Sequence, residues 1–365
     1  MRRRTLLELA GAAAVAETLA IACVGPTPAP TAAPTTARAA APTPAATPAR
    51  PTGRISVYSA LDESTSSEII KAFKAAHPWI AVDLLPRAEA GELWTRIRVE
   101  KQSPKADLFL GGDSSLHDGL GTEGLLEEYG SPNASAIAVE ARDPNGFWTG
   151  WYFGVLGFAV NTDRLRKEVG GKAPRSWDDL LDPAWRGTLV LPDPGKTDAG
   201  YVFLATQVFR SDRDEAKAVD YMKRLHLQVA QYLGRDPEGI RLVSQGRFAG
   251  APGWSHDILT ERARDPGIAL VLPEDTSFGI GAVSLLKGRP SAGLPAARAF
   301  VDWILTKEAG ELNVKLTGRL PVRKDVTPAA GATTLDQLKL VSYDRTFASS
   351  NKERLIRAWQ AAVRP

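Results

Sequence analysis

The residues best suited to chemistry fall in a few short stretches. Gly195-Lys196-Thr197 has the ending of a phosphate loop, but the leading glycine would have to stand at position 190, which is Val190. A nucleotide P-loop is therefore excluded. The remaining turn can face an anion with its hydroxyl and backbone N–H groups at a helix start. Thr197 or Asp198 would serve equally well there as an ordinary cap. Ser255-His256-Asp257 holds the three residue types of a hydrolase triad, yet neighbours in sequence cannot adopt that geometry. The stretch Gly253-Trp254-Ser255-His256-Asp257 also lacks the second glycine of a nucleophile elbow. The four histidines, His77, His117, His226 and His256, show no metal-ligand spacing. His77 and His226 read as solvated residues at helix ends. No catalytic constellation, metal site or cofactor motif emerges.

The elements around these residues alternate strand and helix. Arg54–Ser59 alternates like a strand, and Thr65-x-x-Glu68 has the spacing of a capping box before a helix burying Ile69, Ile70, Phe73 and Ala76. A strand at Ile80–Leu85, a helix at Glu92–Lys101 and a strand at Ala106–Leu110 follow. This order implies a parallel sheet with helices on its faces, whose ligands bind beyond the carboxyl ends of the strands. Ser59 to Ser64 and Gly111 to Ser115 lie at those ends. Farther on, Trp151–Asn161 and Thr188–Leu191 read as strands, and Asp212–His226, Leu294–Val314 and Asn351–Val363 as helices. Of the nine tryptophans, Trp79, Trp94, Trp177, Trp185, Trp303 and Trp359 sit where packing is expected. Trp254 and Tyr152 are placed to line a cleft or to fill a core.

Charge and composition narrow the function classes. Of the 45 lysines and arginines and the 42 aspartates and glutamates, residues 1–53 hold five and two, so the rest of the 365-residue chain is balanced. That balance leaves no electrostatic footprint for nucleic acid. The single cysteine, Cys23, rules out an internal disulfide and a cysteine zinc site. Residues 1–22 read as an export signal: Arg2-Arg3-Arg4, then a short Ala-rich apolar stretch interrupted by Glu8 and Glu17. Arg3-Arg4-Thr5-Leu6-Leu7 resembles a twin-arginine signal, and Ala20-Ile21-Ala22-Cys23 a lipobox whose cysteine carries the lipid anchor. From Val24 to Gly53 there are eight prolines and no acidic residue, the composition of an extended spacer. Residues 23–53 are thus expected to tether a globular body.

Several stretches of that body resemble the bacterial ABC-importer substrate-binding proteins, in the branch of ferric-iron-binding and aminoethylphosphonate-binding members. They are Val57-Tyr58-Ser59-Ala60, Ala106–Asp113, Gly124-Leu125-Leu126-Glu127, Trp148-Thr149-Gly150, Asn161-Thr162, Ser176–Pro183, Arg186-Gly187, Pro192-Asp193-Pro194, Gly246, Ala297–Leu305 and Gly318–Arg323. The resemblance implies an α/β, two-lobed type II periplasmic-binding-protein fold with a hinged interlobe cleft. It implies a first lobe from 54–155 with 273–320 and a second from 156–272 with 321–365. The function implied is capture of a small solute and its delivery to ABC permease subunits by a monomer on the membrane surface, without covalent chemistry. Ferric members use a tyrosine pair, but the matching stretch here reads Ala251-Pro252-Gly253-Trp254-Ser255-His256, and Asp62 stands at the family histidine. A small anionic solute, an organophosphonate or similar oxyanion, is therefore expected ahead of Fe(III) with a synergistic anion. The expected ligand-binding residues are Ser59, Asp62, Asp113, Ser114, Thr197, Ala199 and Trp254.

Overall fold

The structure is a computed structural model and describes Gly25, residues 50–289 and residues 293–363. The export segment, Cys23 and the spacer up to residue 49 lie outside the described residues, apart from Gly25. The body begins slightly earlier than expected, because the Arg50 guanidinium lies over the Trp79 ring at 4.9 Å.

Strand β1 (Gly53–Ser59) pairs in parallel with β2 (Ile80–Leu84) on one side and β3 (Leu108–Asp113) on the other. Helices α1 (Glu63–Ala76), α2 (Ala90–Val99) and α3 (Ser114–Thr122) alternate with them. Helix α1 starts before the expected capping box, because Asp62 caps it by accepting from the Thr65 N–H. Ala76, expected inside, is exposed at the last turn. After β4 (Leu126–Glu127) comes β5 (Trp148–Asn161), 14 residues long and buried throughout.

Beyond β5 the chain forms α4 (Thr162–Glu168), β6 (Leu189–Pro192), α5 (Asp198–Arg210), α6 (Glu215–His226), β7 (Val229–Leu233), α7 (Asp236–Ser244), β8 (Gly250–Trp254), α8 (Ser255–Arg264) and β9 (Ile268–Val271). It then continues through β10 (Phe278–Leu286), α9 (Leu294–Ile304), α10 (Lys307–Thr317), β11 (Leu320–Pro321) and α11 (Arg345–Val363). Helix α5 escapes sequence reading because nearly every residue from Ala199 to Phe209 is buried, leaving no polar stripe. Asp212 and Arg213, with φ of 52° and 66°, separate it from α6, so the helix expected from Asp212 begins at Glu215. The single helix expected over Leu294–Val314 is two, because Thr306 caps α10 by accepting from the Ala309 N–H.

The strand order is β2-β1-β3-β10-β5-β8-β6-β7. The first half of β5 pairs with β10 and β11, and its second half with β8 and β9, so it passes from one lobe to the other. One core gathers Ile55, Phe73, Leu110, Trp148, Val155, Val283 and Phe300; another gathers Leu156, Trp177, Leu191, Phe203, Met222 and Trp359. The segment after β11, expected with the second lobe, sends Val322 into the first core and packs Leu335 and Leu338 against it. Tyr343 and Phe347 pack against the second.

Candidate functional site

Six helices start at the cleft between the two cores. Asp62, Glu89 and Asp113 stand at the N-caps of α1, α2 and α3; Asp198 and Asp236 open α5 and α7; Asp257 lies in the first turn of α8. All six line the cleft, together with Arg87, Tyr152, Trp254, His256 and Arg319. An N-terminal position favours a carboxylate through the helix dipole by about 0.3–1 kcal/mol, so the fold can gather this many acids in one place.

On the first-lobe side the acids are satisfied. Asp62 accepts from the Thr65 N–H at 2.8 Å and the Ser64 hydroxyl at 2.7 Å. Burial pushes its carboxyl up, but those hydrogen bonds outweigh it and hold it below the usual carboxylate range. Asp113 accepts from the Ser115 N–H at 3.0 Å and the Ile280 N–H at 3.3 Å.

On the second-lobe side burial wins. Asp236 is pushed up to about 7, first by burial and then by the Asp198 charge, although the Ala199 N–H stabilises its anion. Asp198 and Asp257 are each raised to about 6, again chiefly by burial. His256 is buried, with neither ring nitrogen hydrogen-bonded, and burial holds it well below its ordinary value, hence neutral. Across the gap, the Asp113 N–H donates to Asp198 at 2.9 Å, so the two walls touch.

Arg87 and Arg319 are the cations among the described lining residues, and Lys352, over the Tyr201 ring at 4.5 Å, stabilises the Asp198 anion. Arg87 is engaged by Glu89 at 2.9 Å and by the Leu61 carbonyl at 3.3 Å. Arg319 lies 4.8 Å over the Tyr152 ring, and its Nε is buried without a hydrogen-bond partner. It follows Gly318, whose left-handed φ of 67° ends α10 and turns the chain into β11. Trp254 stacks parallel to His256 with centroids 6.4 Å apart. Its indole fits because Gly279 lacks a side chain; a Cβ there would stand 2.8 Å from the ring and 2.9 Å from the Asp113 carboxylate.

Of the residues expected from sequence, Asp62, Asp113 and Trp254 meet in this cleft. Ser59 is buried, with its hydroxyl 2.8 Å from that of Ser66, and it accepts from the Leu61 N–H. Ser114 is buried in the first turn of α3. Thr197 acts as the cap of α5, accepting from the Gly200 N–H at 3.1 Å and donating to the Asp193 carbonyl. Ala199 is buried and donates its N–H to Asp236 at 3.2 Å. These four support the walls from behind and are not part of the cleft lining.

Arg319 and Asp236 line the cleft without standing out in the sequence, where Asp198 reads as a helix cap and His256 and Asp257 as parts of an excluded triad. Asp236-Pro237 carries a helix-start signal, proline at the first turn, that was available. Arg319 had only its place in the Gly318–Arg323 stretch to mark it.

Residues 103–351 match the family described as bacterial extracellular solute-binding protein. The chain belongs to that family. A solved relative is the periplasmic binding protein AfuA from Actinobacillus pleuropneumoniae, determined with exogenous fructose-6-phosphate bound. This solute-binding protein is 31% identical to it, with a TM-score of 0.80 over 85% of this chain and 98% of AfuA. A putative 2-aminoethylphosphonate-binding periplasmic protein of Salmonella typhimurium is 25% identical over 66% of this chain and 69% of its own. Iron-bound HitA from Pseudomonas aeruginosa shares the fold at 20% identity and a TM-score of 0.72, over 83% of this chain and 98% of HitA. The fold is that of the type II periplasmic binding proteins, and the protein is an exported one. Members of the family bind solutes and are not enzymes.

Proposed function

We propose that this solute-binding protein captures a small phosphate ester or phosphonate that also carries hydroxyl or ammonium groups, and delivers it to its ABC importer. The observation that carries the reading is Arg319, a guanidinium with an unsatisfied Nε on an aromatic face, set among six carboxylates. Its planar fork matches two oxygens of a phosphoryl group. A ligand that were only an anion would meet Asp62, Asp113, Asp198, Asp236 and Asp257 with nothing to offer them. A ligand that also brings donors satisfies both ends, and Trp254 supplies a flat face for its carbon skeleton. The relatives named for fructose-6-phosphate and 2-aminoethylphosphonate are both of this kind. The protein's part is capture and lobe closure, without covalent chemistry.

Ferric iron fits less well. Tyr152 is the one tyrosine among the described residues lining the cleft, where the ferric-binding resemblance implies a pair of phenolate ligands. Mass spectrometry of the molecule released from natively purified protein tests the reading. A phosphorus-containing ion with hydroxyl or amino groups is expected; a metal or an uncharged solute overturns it.

Cys23 is proposed as the lipid-bearing residue that tethers the spacer to the membrane. Cys23→Ser should then move the protein from the membrane fraction to the soluble one. Retention in the membrane would remove the anchor from the account.

A further inference from the structure

Three residues spaced four apart on α11 reach out of the second lobe onto the first. Arg345 places Nε 3.3 Å from the Asp118 carboxylate, donates to the Glu140 carbonyl at 3.0 Å and lies 4.7 Å over the Trp148 ring. Asp118 is itself held by the Trp148 indole N–H at 2.7 Å, so the first lobe presents a formed socket. One turn on, the Ser349 hydroxyl donates to the Ser115 carbonyl at 3.2 Å; one turn further, Glu353 pairs with Arg98 at 3.5 Å. Such spacing puts all three on one helix stripe.

The rest of α11 belongs firmly to the second lobe. Leu355, Trp359 and Val363 are buried in its core and Phe347 packs on Phe209, while just ahead of the helix Tyr343 packs on Phe209 and Asp344 pairs with Arg213 at 2.7 Å. Toward its own lobe the helix buries apolar side chains and also pairs Arg354 with Glu215 of α6, while the stripe facing the other lobe is polar. The Arg98–Glu353 pair is solvent-exposed, and Arg345 Nε and Asp118 Oδ2 face each other buried but without a hydrogen bond, so each contact is individually weak, which suits one that forms and releases in a transport cycle.

We propose that Arg345 is a positioning residue that, with Ser349 and Glu353, clasps the second lobe onto α2 and α3 outside the cleft and so sets how far the empty protein closes. The proposal rests on the solute-capture reading only in that closure is taken to raise affinity. A ligand that binds the closed form gains whatever the clasp has already contributed to closing, whatever its own chemistry. Loss of Arg345 should thus lower affinity for every ligand by the same factor and leave preference unchanged.

The test uses the full chain with Cys23→Ser and spin labels at exposed Lys71 and Lys223, one in each lobe. In unliganded Arg345→Gln and Glu353→Lys the interlobe distances should shift to longer values than in the parent, with Arg345→Lys intermediate. Calorimetry with fructose-6-phosphate and with 2-aminoethylphosphonate should show a three- to tenfold loss, equal for whichever probes the parent binds. Unchanged distances in both Arg345→Gln and Glu353→Lys overturn the clasp, as does a loss confined to one of two bound probes. If neither probe binds the parent, the ligand reading fails while the distances still decide the clasp.

Discussion

The first-lobe wall of the cleft and the second-lobe wall carry the same residue types, hydrogen-bonded on both sides, but burial raises the acids of the second wall and leaves some of its polar atoms unpaired. At the starts of α1 and α3, Asp62 and Asp113 spend their carboxylates on backbone N–H groups, and Ser59 turns its hydroxyl to Ser66. At the starts of α5, α7 and α8, Asp198, Asp236 and Asp257 are held at about 6, 7 and 6 by burial, and His256 has no hydrogen-bond partner. One wall is a finished structural surface. The other also has hydrogen-bonded acids, Asp198 on the Asp113 N–H and Asp236 on the Ala199 N–H, but it keeps Asp236 Oδ1 and both His256 ring nitrogens buried without a hydrogen-bond partner, a cost recovered only when something pairs with them. Arg319, set between α10 and β11, faces both, and the side of the cleft with unmet bonding capacity is the side expected to discriminate among ligands.

The sharpest way to break this contrast is to remove the cation. Arg319→Ala should cost about 2–5 kcal/mol of binding, roughly thirtyfold to several thousandfold, with Arg319→Lys keeping part of it. Calorimetric titration measures this, and a change below threefold would detach the anion from Arg319. Next comes the unfinished wall itself. Asp236→Asn should weaken binding about tenfold to a hundredfold, because the amide puts an NH2 where Asp236 offers an acceptor oxygen. Asp62→Asn should change affinity much less and lower the melting temperature instead; a reversed order would erase the distinction between the walls.

Acidity sharpens it further. A carboxyl raised in the closed form favours that form below the ordinary carboxylate range, and the contribution is lost as pH rises through the raised value. With Asp198, Asp236 and Asp257 raised to about 6, 7 and 6, the empty protein should be most closed near pH 4, less so at pH 5, and open as pH passes 6 to 7. Small-angle scattering of the unliganded protein checks this, and compaction on raising the pH would contradict it. The smallest effect is expected behind the wall. Thr197→Ala should lower stability by about 1 kcal/mol as a lost helix cap and leave affinity nearly unchanged, as read from melts and titration of one sample.

The alternation of β1, α1, β2, α2 and β3 was legible because each of those helices has a polar face and each strand a turn after it. Helix α5 was not, since burial on all sides removes the periodic signal. The site divides the same way. Asp62, Asp113 and Trp254 lie in the small polar loops that strand ends present, so position alone pointed to them. The hydroxyls were legible as groups near an anion or as caps, and Ser59 and Thr197 prove to serve the helices. Arg319 and Asp236 approach one another only through the pairing of β5 with β8 and β11, a long-range register that no local pattern encodes.

The account turns on one claim, that a phosphoryl group on Arg319 anchors the ligand. Titration of the protein with fructose-6-phosphate and with fructose under identical conditions tests it most directly. Binding of the phosphorylated sugar, with none measurable for the free sugar and the difference abolished in Arg319→Ala, is the predicted result. Equal affinity for the two sugars, or a phosphate preference that survives in Arg319→Ala, would contradict it.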